Sequence, residues 1–414
     1  MEKHLKLAVC GGVDSGKSSL IGVLTNKKLD DGRGSARLSI LRTKHEKESG
    51  RTSNISYNYI KYDNKDVTLI DLAGHEKYLK TTLYGITGLF IDYGVVIIGS
   101  NMGISKMTRE HLGILLYLKV PIIVILTKED ICPPNIYENT KLKLKKLLKL
   151  PLFGKSPLFL DTDEDYVQFE KLCLTPMNIN SLIPIITTSC KTGKNIDRLN
   201  NLFQILPNVR PKNTQLNTNL ISPSSYIESV YNVKGVGIVI TGTHMGQEPM
   251  IVGQNFYIGP FGTTNPYFVP IKIKSMHDNY RNLVNSINPG ENYCASIKFV
   301  KEQVERSHLR KGLIITTNSS ILMPYISLKF KAKIKILNYK TTIKVGYTPI
   351  IHCRTVRQSA KIIEILNTQS TVRGGDETEV IFEYMYYPEF IEVGAPIFFR
   401  DGTTKGVGEI LSLS

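Results

Sequence analysis

The sequence predicts an α/β domain built on a mostly parallel sheet with helices on both faces, followed by two antiparallel β-barrel domains. Three observations carry this. Short apolar runs alternate with helical patterns through the first half of the chain. A glycine-rich loop separates the first apolar run from the first helical pattern. Beyond about residue 222 helical periodicity almost vanishes, and β-branched runs broken by Gly, Asn and Pro take over.

The apolar runs Leu5–Cys10, Val67–Ile70, Val95–Ile98 and Ile122–Leu126 read as strands buried on both faces, as a parallel sheet requires. Helical stretches between them supply the crossovers. The segment from Leu206 to Ser225 is polar, with Pro207, Pro211 and Pro223, and reads as a linker. A second break falls near Thr316–Pro324. The expected domains are 1–212, 222–318 and 324–414, a fair division of 414 residues.

Composition narrows the class. The hydrophobic fraction of 42% and charged fraction of 21% are those of an ordinary water-soluble chain. The residues before Gly12 lack the apolar stretch of a signal peptide, and the apolar run near Ile86–Ser100 is broken by Asp92. A soluble cytoplasmic protein without a membrane partner is expected. None of the six Cys forms a CxxC pair, which speaks against a disulfide or zinc framework. Cys353 adjoins His352, but neighbours on a strand face opposite ways and would not share a metal. The absence of Trp and the wealth of Lys, Ile, Asn and Tyr read as coding bias. The formal charge of +16 favours a polyanion, nucleic acid first and an acidic membrane surface second; a lysine-rich solvated surface is the plainer reading.

The loop Gly11-Gly12-Val13-Asp14-Ser15-Gly16-Lys17-Ser18 matches GxxxxGK[ST], between a strand and a helix as the motif demands. Its glycines let backbone N–H groups turn around phosphate oxygens, and the following helix, opening at Ser18 and Ser19, adds its positive end. Lys17 would reach the β- and γ-phosphates, and Ser18 would ligate Mg²⁺. Asp71 ends the next strong strand in Asp71-Leu72-Ala73-Gly74, where a carboxylate can hold Mg²⁺ and the Gly74 N–H can sense a γ-phosphate. Thr127-Lys128-Glu129-Asp130 follows the strand Ile122–Leu126. The Asp130 carboxylate would accept guanine N1–H and N2–H₂ but face the acceptor N1 of adenine, a discrimination by unpaired polar groups. The Lys128 stem would lie on the purine face. Ser189-Cys190-Lys191, after the strand Leu182–Thr188, offers backbone N–H groups to guanine O6.

With these residues in place the sequence resembles the translational GTPases, the group of elongation factor Tu and eukaryotic elongation factor one-alpha. The resemblance rests on GGVDSGKSS, DLAGHEKY, TKED and SCK. The stretch Gly22–Ser56 is most similar to the first switch region of the branch holding GTP-binding proteins 1 and 2. Ile227–Gly242 and Tyr347–Leu366 resemble the opening strands of the group's second and third domains, both barrels. Because the chain begins near its first strand, the branch's long N-terminal extension is expected to be missing.

The resemblance implies that Thr52 completes the Mg²⁺ shell with Ser18 and Asp71, and that His75 positions the attacking water. It implies GTP and GDP as ligands, Mg²⁺ as cofactor, and hydrolysis as a conformational switch in a monomer. The implied partners are the ribosome, tRNA or another RNA or factor cargo, and an exchange factor. Thr127 replaces the group's Asn, and its hydroxyl is expected to tie this loop to the phosphate loop. Cys190 replaces Ala, Ala73 replaces Pro, and Arg51 stands where an aliphatic residue flanks the histidine in elongation factor Tu. Two other function classes compete: a GTP-binding carrier of RNA or protein with little hydrolysis, and a metabolic ATPase, which Asp130 opposes.

Three basic patterns invite a role. Lys329, Lys331, Lys333 and Lys335 alternate with apolar residues, fitting an RNA-tracking stripe or the guard of an edge strand. Lys141, Lys145 and Lys149 share a helical face that reads as solvated. Arg306, His308, Arg310 and Lys311 form a cluster able to meet ribosomal RNA.

Overall fold

The computed structural model describes residues 4–41, 46, 52–150, 154–173, 181–208, 223–301, 304–338, 342–366, 371–401 and 404–414. Arg51 and most of the linker lie outside them. The chain divides into two compact units that meet in sequence at Pro211 and Lys212, residues 87–90 grouping with the second.

The first unit is a seven-stranded sheet. Its strands are β1 (His4–Gly11), β2 (Ser56–Lys61), β3 (Asp66–Asp71), β4 (Tyr93–Gly99), β5 (Ile122–Thr127), β6 (Ser156–Phe159) and β7 (Leu182–Thr187), in the order 2-3-1-4-5-7-6. All pairings are parallel except that of β2 with β3. β1, β4 and β5 are buried along their whole length, which is why their sequences run apolar without alternation. The strand order reverses at β1, whose neighbours are β3 and β4, and such a switch point opens a crevice at the carboxyl ends of the strands.

The helices are α1 (Lys17–Asn26), α2 (Ser35–Leu38), α3 (Leu79–Gly88), α4 (Lys106–Tyr117), α5 (Pro134–Leu148), α6 (Asp163–Cys173) and α7 (Ile196–Ile205). Capping chemistry sets their starts. The Ser105 hydroxyl accepts from Thr108 N–H ahead of α4, and α5 opens on a proline. On α5, Leu144 and Leu148 are buried while Lys145 and Lys149 are exposed and Lys141 pairs with Asp161 at 2.8 Å, so this lysine face is solvated. No helix among the described residues is long and apolar enough to cross a membrane.

The second unit holds two closed six-stranded antiparallel barrels. The first comprises β8 (Ser225–Val233), β9 (Gly237–His244), β10 (Asn255–Phe261), β11 (Tyr267–His277), β12 (Asn292–Phe299) and β13 (Ile314–Thr316). The second comprises β14 (Lys329–Asn338), β15 (Ile350–Cys353), β16 (Val356–Ile365), β17 (Glu377–Tyr384), β18 (Pro396–Asp401) and β19 (Thr404–Leu413). Each closes around its own apolar core, centred on residues such as Ile258 and Ile271 in the first and Phe330 and Phe382 in the second. The barrels are locked to each other by polar groups. Arg310 Nη1 donates to Glu389 at 2.6 Å, and the Tyr226 hydroxyl donates to Glu392, which also takes a bidentate pair of bonds from Arg354.

One expectation about charge is corrected here. β14, which carries the lysine stripe, is no edge: it pairs with β17 on one side and β19 on the other. Lys329, Lys331 and Lys333 pair with Glu383, Glu379 and Glu377 at 3.5, 2.6 and 2.7 Å, so the stripe is met by carboxylates of the neighbouring strand. In the basic cluster, Arg306 donates to the carbonyls of Val230 and Leu309, and Arg310 is held by Glu389; both guanidinium groups brace the fold.

Candidate functional site

The end of β1 turns into the phosphate-loop motif and then α1. Asp14 and Gly16 adopt left-handed backbone conformations, with φ of 58° and 90°. Alternation of this kind turns successive N–H groups to one side and makes an anion-binding concavity. Gly11 and Ser15, in the same loop, are not among the residues that line the cleft above it; a β-carbon on Gly11 would collide with the Ile97 carbonyl. The Ser15 hydroxyl is buried with no hydrogen-bond partner among the described residues.

One cleft opens over this loop, lined by Val13, Asp14, Gly16, Lys17, Ser18, Ser19, Arg37, Thr52, Gly74 and His75. Lys17 is buried, and its ammonium donates to the Gly12 carbonyl at 2.7 Å. Burial lowers its pKa, opposed chiefly by the Asp71 carboxylate. Gly74 closes the far wall. A β-carbon there would stand 2.5 Å from Lys17 Nζ and 2.7 and 2.8 Å from the carbonyl oxygens of Gly11 and Gly12, so only glycine fits.

Ser18, Thr52 and Asp71 converge from α1, the segment before β2 and the end of β3. Ser18 Oγ lies 3.0 Å from Thr52 Oγ1, and both hydroxyls donate to Asp71 Oδ2, at 3.1 and 2.9 Å. The other carboxylate oxygen, Asp71 Oδ1, is buried without a partner among the described residues. Burial raises the Asp71 pKa despite Lys17 and both hydroxyls. Two hydroxyls beside a carboxylate with an orphaned oxygen form a hard, oxygen-only donor set, the kind Mg²⁺ takes.

His75 is exposed at the mouth of the cleft. Its Nδ1 accepts from the Lys77 N–H at 3.1 Å, which in the neutral ring leaves the proton on Nε2.

The second group of predicted residues gathers beside the first. Thr127 Oγ1 donates to the Ser15 carbonyl at 2.5 Å, so the hydroxyl does join the two loops. Lys128 is left-handed and half-buried. The Ser189 hydroxyl donates to Asp130 Oδ1 at 2.7 Å and fixes the exposed carboxylate. The Cys190 carbonyl accepts from Asp30 N–H at 2.9 Å, and the Lys191 stem lies against Gly32. Burial, then Asp30 and Asp130, push the Cys190 thiol up to about 12, so it stays neutral beside the carboxylate.

Two residues in this region escaped the sequence reading. Glu46 Oε1 accepts from Ser53 N–H, Ser53 Oγ–H and Asn54 N–H at 2.9, 3.0 and 3.3 Å, anchoring the segment next to Thr52. Arg37, on α2, reaches the cleft from a stretch whose spacing signals nothing.

A phosphate loop, a strand-end DxxG and an Asp–Ser pair beside them on a parallel sheet, followed by two barrels, make up the architecture of the elongation-factor GTPase class. The chain belongs to that family: residues 2–212 match the elongation factor Tu GTP binding domain. It is similar to GTP-binding protein 1 of Xenopus laevis, 36% identical over 99% of the chain and 63% of that protein. To GTP-binding protein 2 of Mus musculus it is 33% identical, over 98% of the chain and 69% of that protein. The chain therefore spans about two thirds of these relatives. In structure it resembles translation elongation factor SelB of Methanococcus maripaludis, solved with the GTP analogue GppNHp, with a TM-score of 0.68 at 21% identity over 100% of this chain and 80% of that one.

Proposed function

We propose that this protein binds GTP with Mg²⁺ and hydrolyses it to GDP and phosphate as a conformational switch in translation or ribosome-associated RNA handling. The observation that carries the reading is the convergence of Lys17, Ser18, Thr52, Asp71, Gly74 and His75, from three separate stretches of sequence, around one cleft.

Each residue has a task that its surroundings support. The buried Lys17 ammonium neutralises phosphate charge. The Gly74 N–H meets the γ-phosphate at a wall no larger residue allows. Ser18, Thr52 and Asp71 would hold Mg²⁺, which would supply positive charge to offset that of the phosphates. His75, its Nδ1 occupied by the Lys77 N–H, orients the attacking water through Nε2 instead of deprotonating it. Asp130, steadied by Ser189, selects guanine, and the backbone of Ser189, Cys190 and Lys191 borders the base. The charge of +16 fits an RNA-rich partner, with the ribosome and tRNA first among candidates and an exchange factor resetting the switch.

Competition binding tests the ligand. Unlabelled GTP should displace labelled GTP at least ~10²-fold better than ATP, and Asp130→Asn should shrink that ratio about tenfold or more. Displacement by ATP at equal concentration would defeat the assignment.

A further inference from the structure

The phosphate cleft contains a cation outside the phosphate loop and the DLAG, TKED and SCK motifs. Arg37 lines it beside Val13, Ser18, Thr52 and His75. Its Nε is buried and has no hydrogen-bond partner among the described residues. A guanidinium keeps its charge at any working pH and presents its donors in a planar fork that fits phosphate oxygens. A donor buried unmatched in this way calls for an acceptor, and the cleft is built to receive one that is strongly anionic.

The position of Arg37 is set by the fold. Gly34, with φ of 91°, lies against the side chain: a β-carbon there would stand 2.7 Å from Arg37 Nε and 3.1 Å from Cζ. α2 is pressed onto α1 where Gly22 meets the Ala36 carbonyl, a contact that excludes any β-carbon. Asn26 Nδ2 donates to Ser39 Oγ at 2.6 Å, and Ala36 N–H donates to Asp30 Oδ1 at 3.3 Å. Asp30 in turn bonds the Cys190 carbonyl in the purine loop. The segment carrying Arg37 is thus pinned both to the phosphate-loop helix and to the purine side of the site. Lys17, the other cation here, already donates to the Gly12 carbonyl and acts as a point charge, which leaves the forked contact to Arg37.

We propose that Arg37 is a catalytic residue supplied from within the chain, its guanidinium contacting the phosphates of bound GTP. In the step it serves, the water oxygen bonds to the γ-phosphorus and the bond to the β–γ bridging oxygen breaks. That oxygen leaves with its electron pair on GDP, and the water proton ends on the released phosphate. Arg37 keeps its own protons and stabilises charge on the γ- and bridging oxygens as they separate. The proposal rests on the GTPase reading above.

The test compares the full chain with Arg37→Ala and Arg37→Lys in single-turnover GTP hydrolysis, alongside affinity for GDP alone and for GDP with aluminium fluoride. Arg37→Ala should slow hydrolysis on the order of 10³-fold, Arg37→Lys should fall between, and free guanidinium should restore part of the alanine variant's rate. GDP affinity should stay within about threefold, while the extra affinity conferred by aluminium fluoride disappears. A rate for Arg37→Ala within about threefold of the unsubstituted protein overturns the assignment, as does a fall in GDP affinity that matches the fall in rate. An unsubstituted protein that releases no phosphate would instead sink the GTPase reading, and this proposal with it.

Discussion

Gly74 shows how finely the cleft is specified at the level of one residue. The two carbonyls and the ammonium that crowd its missing side chain belong to the phosphate loop itself, so they cannot retreat without opening the site. Gly74→Ala should lower affinity for a GTP analogue by about tenfold or more and affinity for GDP by less, because GDP lacks the γ-phosphate that the Gly74 N–H would meet. Titration with a fluorescent nucleotide measures both; an equal loss for both would show that Gly74 does not sense the γ-phosphate. Residues such as Lys17, Ser18 and Asp71 were legible in the sequence because phosphate and metal chemistry dictates their type and spacing. Thr52 and His75 were legible only through the family likeness, since each alone is an ordinary polar turn residue. Arg37 and Glu46 were not legible, because what they touch is decided by how distant segments meet.

Among elements, the segment leading into β2 carries the contacts on which the proposed switch would depend. It carries Thr52 to Ser18 and Asp71 and is tied down by the Glu46 carboxylate. Glu46→Ala releases three donors at once. GTP affinity at low Mg²⁺ should fall about tenfold, with the difference narrowing as Mg²⁺ is raised; parallel Mg²⁺ curves for the two proteins would separate Glu46 from the metal site. The same contrast explains which strands the sequence revealed. β1, β3, β4, β5 and β7 are apolar runs because they are buried on both faces, and they stand out. β2 and β6 are half-exposed edge strands with few buried side chains; β2 is polar and β6 is only four residues long and contains Pro157, so neither stands out. The lysines of β14 misled for a related reason. Alternation showed that one face is polar, but the glutamates opposite belong to a strand more than forty residues away.

For the molecule as a whole, the two barrels form one compact unit, and a buried carboxyl at their junction should make its stability depend on pH. Glu389 is buried at that junction with Arg310 and Gln358, and burial outweighs their pull, lifting its carboxyl to about 7 from an ordinary 4.5. The folded state holds this proton more tightly than the unfolded chain. The cost is therefore absent below pH 4.5, grows as pH rises and is complete above about 7, reaching roughly 3 kcal/mol. Hydrogen exchange in β16 and β17, corrected for intrinsic rates, should show stability declining across that window, and Glu389→Gln should flatten the decline. An unchanged slope in the variant would assign it to other groups. The central claim, that the cleft over Gly11–Ser18 hydrolyses GTP, is tested most directly by single-turnover release of labelled γ-phosphate from GTP by excess protein, with and without ribosomes. The account predicts release that ribosomes accelerate and that His75→Ala slows on the order of 10²-fold or more while GTP affinity holds. Release that ribosomes leave unchanged and that proceeds equally well without His75 would contradict it.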